Sequence, residues 1–247
     1  MKKILKRLIS RLGYRLERDF SKTDLLFRTQ KRLSSTVNPL VVFDVGANVG
    51  DTALRYHQEF AGNCQIYAFE PYPPTFNTLV ERTEKYPNIF PVAKALGEAD
   101  GTAILNVNNF VDTSSLLVTA PEGIKNWGTG LLETKEELDV PVQTIDSFIE
   151  EKQIERIDIL KMDTQGTEYQ VLAGAKQALA AGKIKLVTTE IIVVPTYVGQ
   201  KDLSEMLQLM KAYGFELHDL QKSLSPKGRL LFIDAIFIHN QLVEDHI

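Results

Sequence analysis

The sequence is poor in several things. Among its 247 residues stand one cysteine, Cys64, and one tryptophan, Trp127. A lone thiol closes no intramolecular disulfide, so nothing in the cysteine usage points to an oxidising compartment. Cys64 sits in the apolar-leaning run CQIYAFEP, where a small buried hydrophobe is the expected role. No stretch approaches the ~20 apolar residues of a membrane span. The N-terminal MKKILKRLISRLGYRLERDF interrupts its apolar pairs with charges and lacks the continuous apolar core of a signal peptide. The four histidines show no His-x-x-x-His spacing, and no paired-carboxylate motif demands a metal. Internal repeats and low-complexity segments are also missing. What remains, 44% hydrophobic and 24% charged residues, is ordinary for a soluble chain, and the length suits one large domain with at most a short appendage. A cytoplasmic protein is expected, at most associated with a membrane surface.

Charge is unevenly placed. Residues 1–36 hold eleven Lys or Arg against three acids, a balance of +8; since the whole chain carries −4, the other 211 residues carry −12. At about 100° per residue, Ile4, Leu5, Leu8, Ile9, Leu12 and Leu16 fall within one arc of roughly 140°, with Lys3, Lys6, Arg7, Arg11 and Arg18 outside it. The segment therefore reads as a basic amphipathic helical arm preceding a domain over residues 37–247. Two roles suit it: packing its stripe on the acidic body, which is favoured, or lying on an anionic membrane surface. The acidic body would repel nucleic acid, so none is expected as a partner.

From Leu40 onward, short β-branched runs alternate with longer helical patterns. LVVFDV, QIYAFEP, NIFPVAKAL, RIDILKMD and KLVTTEIIVV read as buried strands. GDTALRYHQEF, PPTFNTLVERTEKY, TEYQVLAGAKQALAAG and KDLSEMLQLMKAYG read as helices, the second entered through prolines. Residues 108–138 mix turn formers, Trp127 and charges without a period and read as an irregular insertion that shapes a substrate site. FELHDLQ and RLLFIDAIFIHN close the chain as two strands joined by KSLSPKG. The fold class expected is α/β: a mostly parallel sheet covered by helices on both faces, with an antiparallel C-terminal edge.

In such sheets ligands bind at the carboxyl ends of strands where the strand order reverses. The first strand runs into Asp44 and then Gly46, Asn48 and Gly50. G-x-G-x-x-G would need glycine where Asn48 stands, and Asp44 would repel a pyrophosphate. A cationic nucleoside such as S-adenosylmethionine (SAM) suits an acid at the strand tip, and its carboxylate can still use backbone N–H groups. Glu70 ends the second strand twenty positions after Gly50, placed to accept ribose hydroxyls. Asp163 ends IDILKMD as a third acid at a strand tip.

The ordered set FDVGANVGDTAL, AFEPYPPTFNTL, VAKALGEADGTAIL, TSSLL and VQTIDSFI…IDILKMDTQGTEYQVLAGA resembles the FkbM family of SAM-dependent methyltransferases, over roughly residues 40–240. The resemblance implies a seven-stranded Rossmann-like methyltransferase sheet and O-methylation, often of sugar or natural-product hydroxyls, so that a small-molecule or glycan acceptor and a role in polysaccharide biosynthesis are expected. It implies that Asp44, Gly46, Asn48 and Gly50 hold the methionine end, that Glu70 takes the ribose, and that Ala95 and Leu96 flank the adenine. Asp163 would stand near the methionine amine or the acceptor hydroxyl. Many relatives carry Glu where this chain has Gln165, so no acid or base role follows for that position.

A sugar hydroxyl is a poor nucleophile, and a base that accepts its proton would help. The candidates, in order, are Asp163, Glu190 at the tip of VTTEI, and His218 in FELHDL. Ser115 of the TSSLL segment and Trp127 are the candidate acceptor contacts; a single Trp in an insertion also serves to anchor it. A nicotinamide-dependent sugar oxidoreductase would share the sheet and Glu70 but not the loop, and a non-catalytic scaffold would not need the acids and glycines to be intact.

Overall fold

A computed structural model describes residues 22–34, 39–128, 130–225 and 228–241. Its centre is a seven-stranded sheet in the order Ile89–Val92, Cys64–Phe69, Leu40–Val45, Ile157–Met162, Ile184–Ile192, Leu230–His239 and Phe215–Leu224. Strands β1 (Leu40–Val45), β2 (Cys64–Phe69), β3 (Ile89–Val92), β7 (Ile157–Met162) and β8 (Ile184–Ile192) pair in parallel. β10 (Leu230–His239) runs antiparallel to both its neighbours, β8 and β9 (Phe215–Leu224), so it is the inserted strand and β9 forms the edge. This is a Rossmann-like α/β architecture, mostly parallel with an antiparallel C-terminal pair, as expected.

The uninterrupted apolar strands are explained by burial on both faces. One face holds Phe43, Phe69, Leu160 and Phe237 and is covered by α5 (Ile145–Glu151), whose Phe148 ring lies 4.9 Å from that of Phe69. The other holds Val42, Ile66, Ile159 and Ile236 beneath α2 (Asp51–Glu59) and α3 (Pro73–Thr83), which contribute Tyr56 and Leu79. Cys64 is buried there, its thiol pushed up to about 11 by burial, in keeping with an inert packing role. α1 (Lys22–Leu33) docks on the same face: Phe27 and Leu33 are buried, and Gln30 Oε1 accepts a 2.7 Å hydrogen bond from Tyr56 Oη. The stripe from Ile4 to Leu16 lies outside the described residues. Among those described, no helix is long and apolar enough to cross a membrane.

Three expectations are corrected. NIFPVAKAL is two strands in different sheets: β3 belongs to the main sheet, whereas β4 (Ala95–Leu96) joins β6 (Thr134–Gln143) and β5 (Gly101–Asn108) in a separate three-stranded sheet. The irregular insertion is shorter than 108–138, because β6 begins at Thr134, and it contains a 3-10 turn, Val111–Thr113, and α4 (Pro121–Trp127). TEYQVLAGAKQALAAG is two helices, α6 (Glu168–Ala173) and α7 (Lys176–Ala180). A side chain at Gly174 would collide with the Gly97 carbonyl, and Asp146 accepts from the Gln177 and Ala178 N–H groups at 2.8 and 2.9 Å. The close approach and the outside acceptor favour a new helix start at that point.

Candidate active site

Strand order reverses between β1 and β7, and a cleft of about 350 Å³ opens at their carboxyl ends. Gly46, Asn48, Glu70, Ala95, Leu96, Ser115, Trp127, Asp163 and Glu190 all line it. Asp44, Gly50 and His218 do not.

The loop after β1 is shaped by positive φ at Gly46 (74°), Asn48 (49°) and Gly50 (88°). Its two glycines were expected to admit a ligand; the structure gives both of them a packing reason as well. A Cβ on Gly46 would collide with the Asp163 carbonyl oxygen, and one on Gly50 would stand 2.7 Å from Leu79 Cδ1 of α3. Gly46 lets β1 and β7 close at their tips, and Gly50 lets α3 settle on the start of α2. Asn48 is the loop's polar member. Its Nδ2 donates to Asp112 Oδ1 at 2.8 Å across the cleft, and its backbone N–H donates to Glu70 Oε2 at 3.0 Å.

Glu70 also accepts from the Tyr72 N–H at 2.8 Å, yet burial raises its carboxyl to about 7 against the pull of these bonds. An acid held by backbone donors at the tip of β2, lining a cleft with an apolar wall at Ala95 and Leu96, suits a ribose with an adenine beside it.

Asp44 is fully buried in the seam between β1 and β7, opposite Lys161 in the register. The Lys161 ammonium stands 3.2 Å from Asp44 Oδ1, an ion pair rather than a well-aligned hydrogen bond, and donates to the Gly46 carbonyl at 3.2 Å. Burial raises the Asp44 carboxyl despite that partner. Burial pulls Lys161 down, but Asp44, Asp163 and Glu190 around it prevail and hold it above the ordinary lysine range. Asp44 is therefore too deeply buried for the direct ligand contact expected of it, and it reaches the loop only through Lys161, which binds the Gly46 carbonyl.

At the tip of β7, Asp163 keeps 42% of its side chain exposed, with Lys161 Nζ 3.9 Å from Oδ2. Gln165, at φ 56°, donates through Nε2 to Asp163 Oδ1 at 2.9 Å and to Glu190 Oε1 at 3.4 Å. Its Oε1 accepts from Tyr197 Oη at 3.2 Å. This turn is held from below by Glu168, which accepts from the Thr164 N–H at 2.8 Å and the Gly166 N–H at 3.1 Å. Ser115, expected to face the acceptor, spends its hydroxyl on the Gln165 carbonyl at 2.7 Å. Trp127 lines the cleft while its Nε1 donates to Thr196 Oγ1 at 2.9 Å and its ring stacks on Phe232, so it anchors the insertion as well as walling the site. His218 lies on the edge strand β9, its Nε2 3.3 Å from the Arg32 guanidinium of α1, which removes it from the base candidates.

Lys161, Gln165 and Tyr197 were not singled out as site residues from the sequence. Lys161 carried a signal: a lysine inside a buried parallel strand needs a partner. Tyr197 lies in a stretch without periodicity and carried none.

The Methyltransferase FkbM domain model matches residues 44–217, most of the chain. The chain belongs to the FkbM methyltransferase family. The matched region is a SAM-dependent methyltransferase domain, and the nicotinamide reading falls. Among the FkbM relatives, the hexuronic acid methyltransferase AglP of Haloferax volcanii is 25% identical over 172 residues, 69% of this chain and 62% of AglP, less than two thirds of that protein's length. The 31-O-demethyl-FK506 methyltransferase FkbM of Streptomyces tacrolimicus is 28% identical over 204 residues, covering 71% of this chain and 72% of its own. The 2-O-methyltransferase NoeI of Sinorhizobium fredii is 26% identical, with 70% and 72% covered.

Proposed function

We propose that this FkbM-family chain methylates a hydroxyl oxygen of a sugar, glycan or natural-product acceptor. The observation that carries the reading is Asp163: a half-exposed carboxylate at the tip of β7, in the cleft beside the Gly46–Asn48 loop. Two of the relatives are named for positions of O-methylation, which supports a hydroxyl as the target. In this reading the backbone of the Gly46–Asn48 loop holds the methionine end of SAM, Glu70 holds the ribose, and Ala95 and Leu96 border the adenine. Bound SAM supplies a methyl group activated by its positive sulfur. The chain aligns the acceptor oxygen and excludes water, with the insertion as a roof tied down at Asn48–Asp112, Tyr197–Thr113 and Ser115–Gln165. Asp163 accepts the proton that the hydroxyl gives up as it is methylated, and the Gln165 amide holds its Oδ1 in place.

Asp163→Asn keeps the shape and removes the charge. Turnover with the acceptor is expected to fall at least tenfold while the thermal melting midpoint stays near that of the unsubstituted protein. Unchanged turnover would remove Asp163 from the reaction.

A further inference from the structure

The acceptor end of the cleft has a distinctive balance of charge. Asp163 and Glu190 both face it, and both lie within hydrogen-bond reach of one amide nitrogen, Gln165 Nε2. No arginine is among the lining residues, and the one lining lysine, Lys94, sits beside Ala95 with its Nζ bound to Gln143 Oε1 at 2.8 Å. Lys161, the nearest cation, is 15% exposed and committed to Asp44 and the Gly46 carbonyl. Among the described residues, no accessible positive group stands ready to receive a carboxylate or phosphate at this end.

The two carboxyls are also not equivalent. Asp163 is half exposed beside Lys161, whereas Glu190 is more deeply set and only partly exposed, with Oε1 on Gln165 and no hydrogen bond to Oε2 among the described residues. Burial, then Asp163 on the β7 turn, Glu168 on α6 and Asp234 on β10, outweigh Lys161 and push the Glu190 carboxyl up to about 9. A carboxyl that keeps its proton at neutral pH is a hydrogen-bond donor; a carboxylate beside it is an acceptor. A hydroxyl about to lose its proton needs the acceptor, and a hydroxyl on the next carbon can take the donor.

We propose that the acceptor is an uncharged vicinal diol, with the methylated hydroxyl on Asp163 and its neighbour on Glu190, and that molecules carrying a carboxylate or phosphate next to the reacting hydroxyl are rejected. The inference rests on the hydroxyl-methylation reading above and narrows it. Rejection follows because an anion there meets Asp163 with no accessible cation to receive it, Lys161 being already engaged by Asp44 and Asp163, and specificity is set by such mismatches as much as by attraction. Glu190 thereby becomes a residue that selects the acceptor rather than a second base.

Radiolabelled SAM offered with methyl hexopyranosides, the matching methyl uronides and monodeoxy hexosides tests this. Label is expected on neutral hexosides with kcat/KM at least tenfold above the uronides. Glu190→Ala is expected to raise KM for a diol tenfold or more with a smaller change in kcat, and to leave KM for a monodeoxy hexoside lacking the neighbouring hydroxyl unmoved. The unsubstituted enzyme is expected to show a rise in KM above about pH 9; Glu190→Gln, which restores an N–H donor, should recover part of the loss and lack that rise. Uronides labelled as well as hexosides, or Glu190 variants that lower kcat equally on diol and deoxy sugars, overturn the diol inference alone. Label recovered only on the uronide carboxylate, as a methyl ester released by mild base, and on no hydroxyl overturns the hydroxyl-methylation reading and the diol with it.

Discussion

At the scale of single residues, the cleft is governed by acids whose protonation differs with depth. Glu70, raised to about 7 by burial, holds its proton in the free protein below that pH. The ionised carboxylate is the better acceptor for ribose hydroxyls, so binding draws Glu70 towards the ionised form. The affinity for S-adenosylhomocysteine is therefore expected to increase from pH 6 to pH 8 and to level off above, with the rise missing in Glu70→Gln; calorimetric titration across that range checks it. Glu70→Ala should weaken binding by about 1.5–3 kcal/mol through lost charge-assisted hydrogen bonds, and NAD should bind far more weakly than SAM to the unsubstituted protein. Lys161 teaches a different lesson about reading such sites. From the sequence, Asp44 looked like a ligand for a cation from outside; the cation is internal, on the neighbouring strand, and only the β1–β7 register brings the two together.

At the scale of elements, most of the main sheet was legible because its signals are local: uninterrupted β-branched runs, prolines at a helix entry, glycines at strand ends. What was not legible depends on contacts between distant segments. The split of NIFPVAKAL follows from β4 finding a partner in β6, nearly fifty positions away, and the break at Gly174 follows from the approach of Gly97. Gly46 shows the same dependence inside the site. Its place in a ligand-binding loop was readable, but the reason no side chain fits there is the Asp163 carbonyl of another strand. Gly46→Ala is accordingly expected to destabilise the fold, by roughly 2 kcal/mol or more from the positive φ and the forced separation of β1 and β7. Denaturant unfolding reads this directly. A midpoint unchanged from the unsubstituted protein would mean that β1 and β7 tolerate a wider seam.

At the scale of the whole molecule, the asymmetry between a +8 N-terminal segment and a −12 body is the property that no single element expresses. The described part of that segment, α1, already rests on the body: Phe27 and Leu33 are buried, and Lys31 Nζ lies 3.6 Å from Glu59 Oε2. Packing of the apolar stripe at Ile4–Leu16 would extend this contact. On that reading, removal of residues 1–20 lowers the thermal midpoint and exposes apolar surface to a hydrophobic dye, while SAM affinity is retained. On the membrane reading the midpoint stays and what is lost is sedimentation with anionic liposomes, an attraction that added salt weakens because charges are screened over about 8 Å at physiological ionic strength. A full-length protein that ignores anionic liposomes at low salt decides against the membrane.

The separate three-stranded sheet has one more effect. Asn108, at the end of β5, is paired with Thr134, at the start of β6, and Thr134 Oγ1 donates to Asn108 Oδ1 at 3.2 Å. Everything between them, including the roof of the cleft and Trp127, leaves the scaffold and returns to it through one narrow neck. Such an excursion is a cassette: doubling its length costs only about 0.6 kcal/mol of closure entropy, and the cofactor floor on β1 and β2 lies outside it. Exchanging that one contiguous stretch would reshape the roof over the acceptor, while the cofactor floor and the Asp163 and Glu190 carboxyls, which lie outside it, are kept.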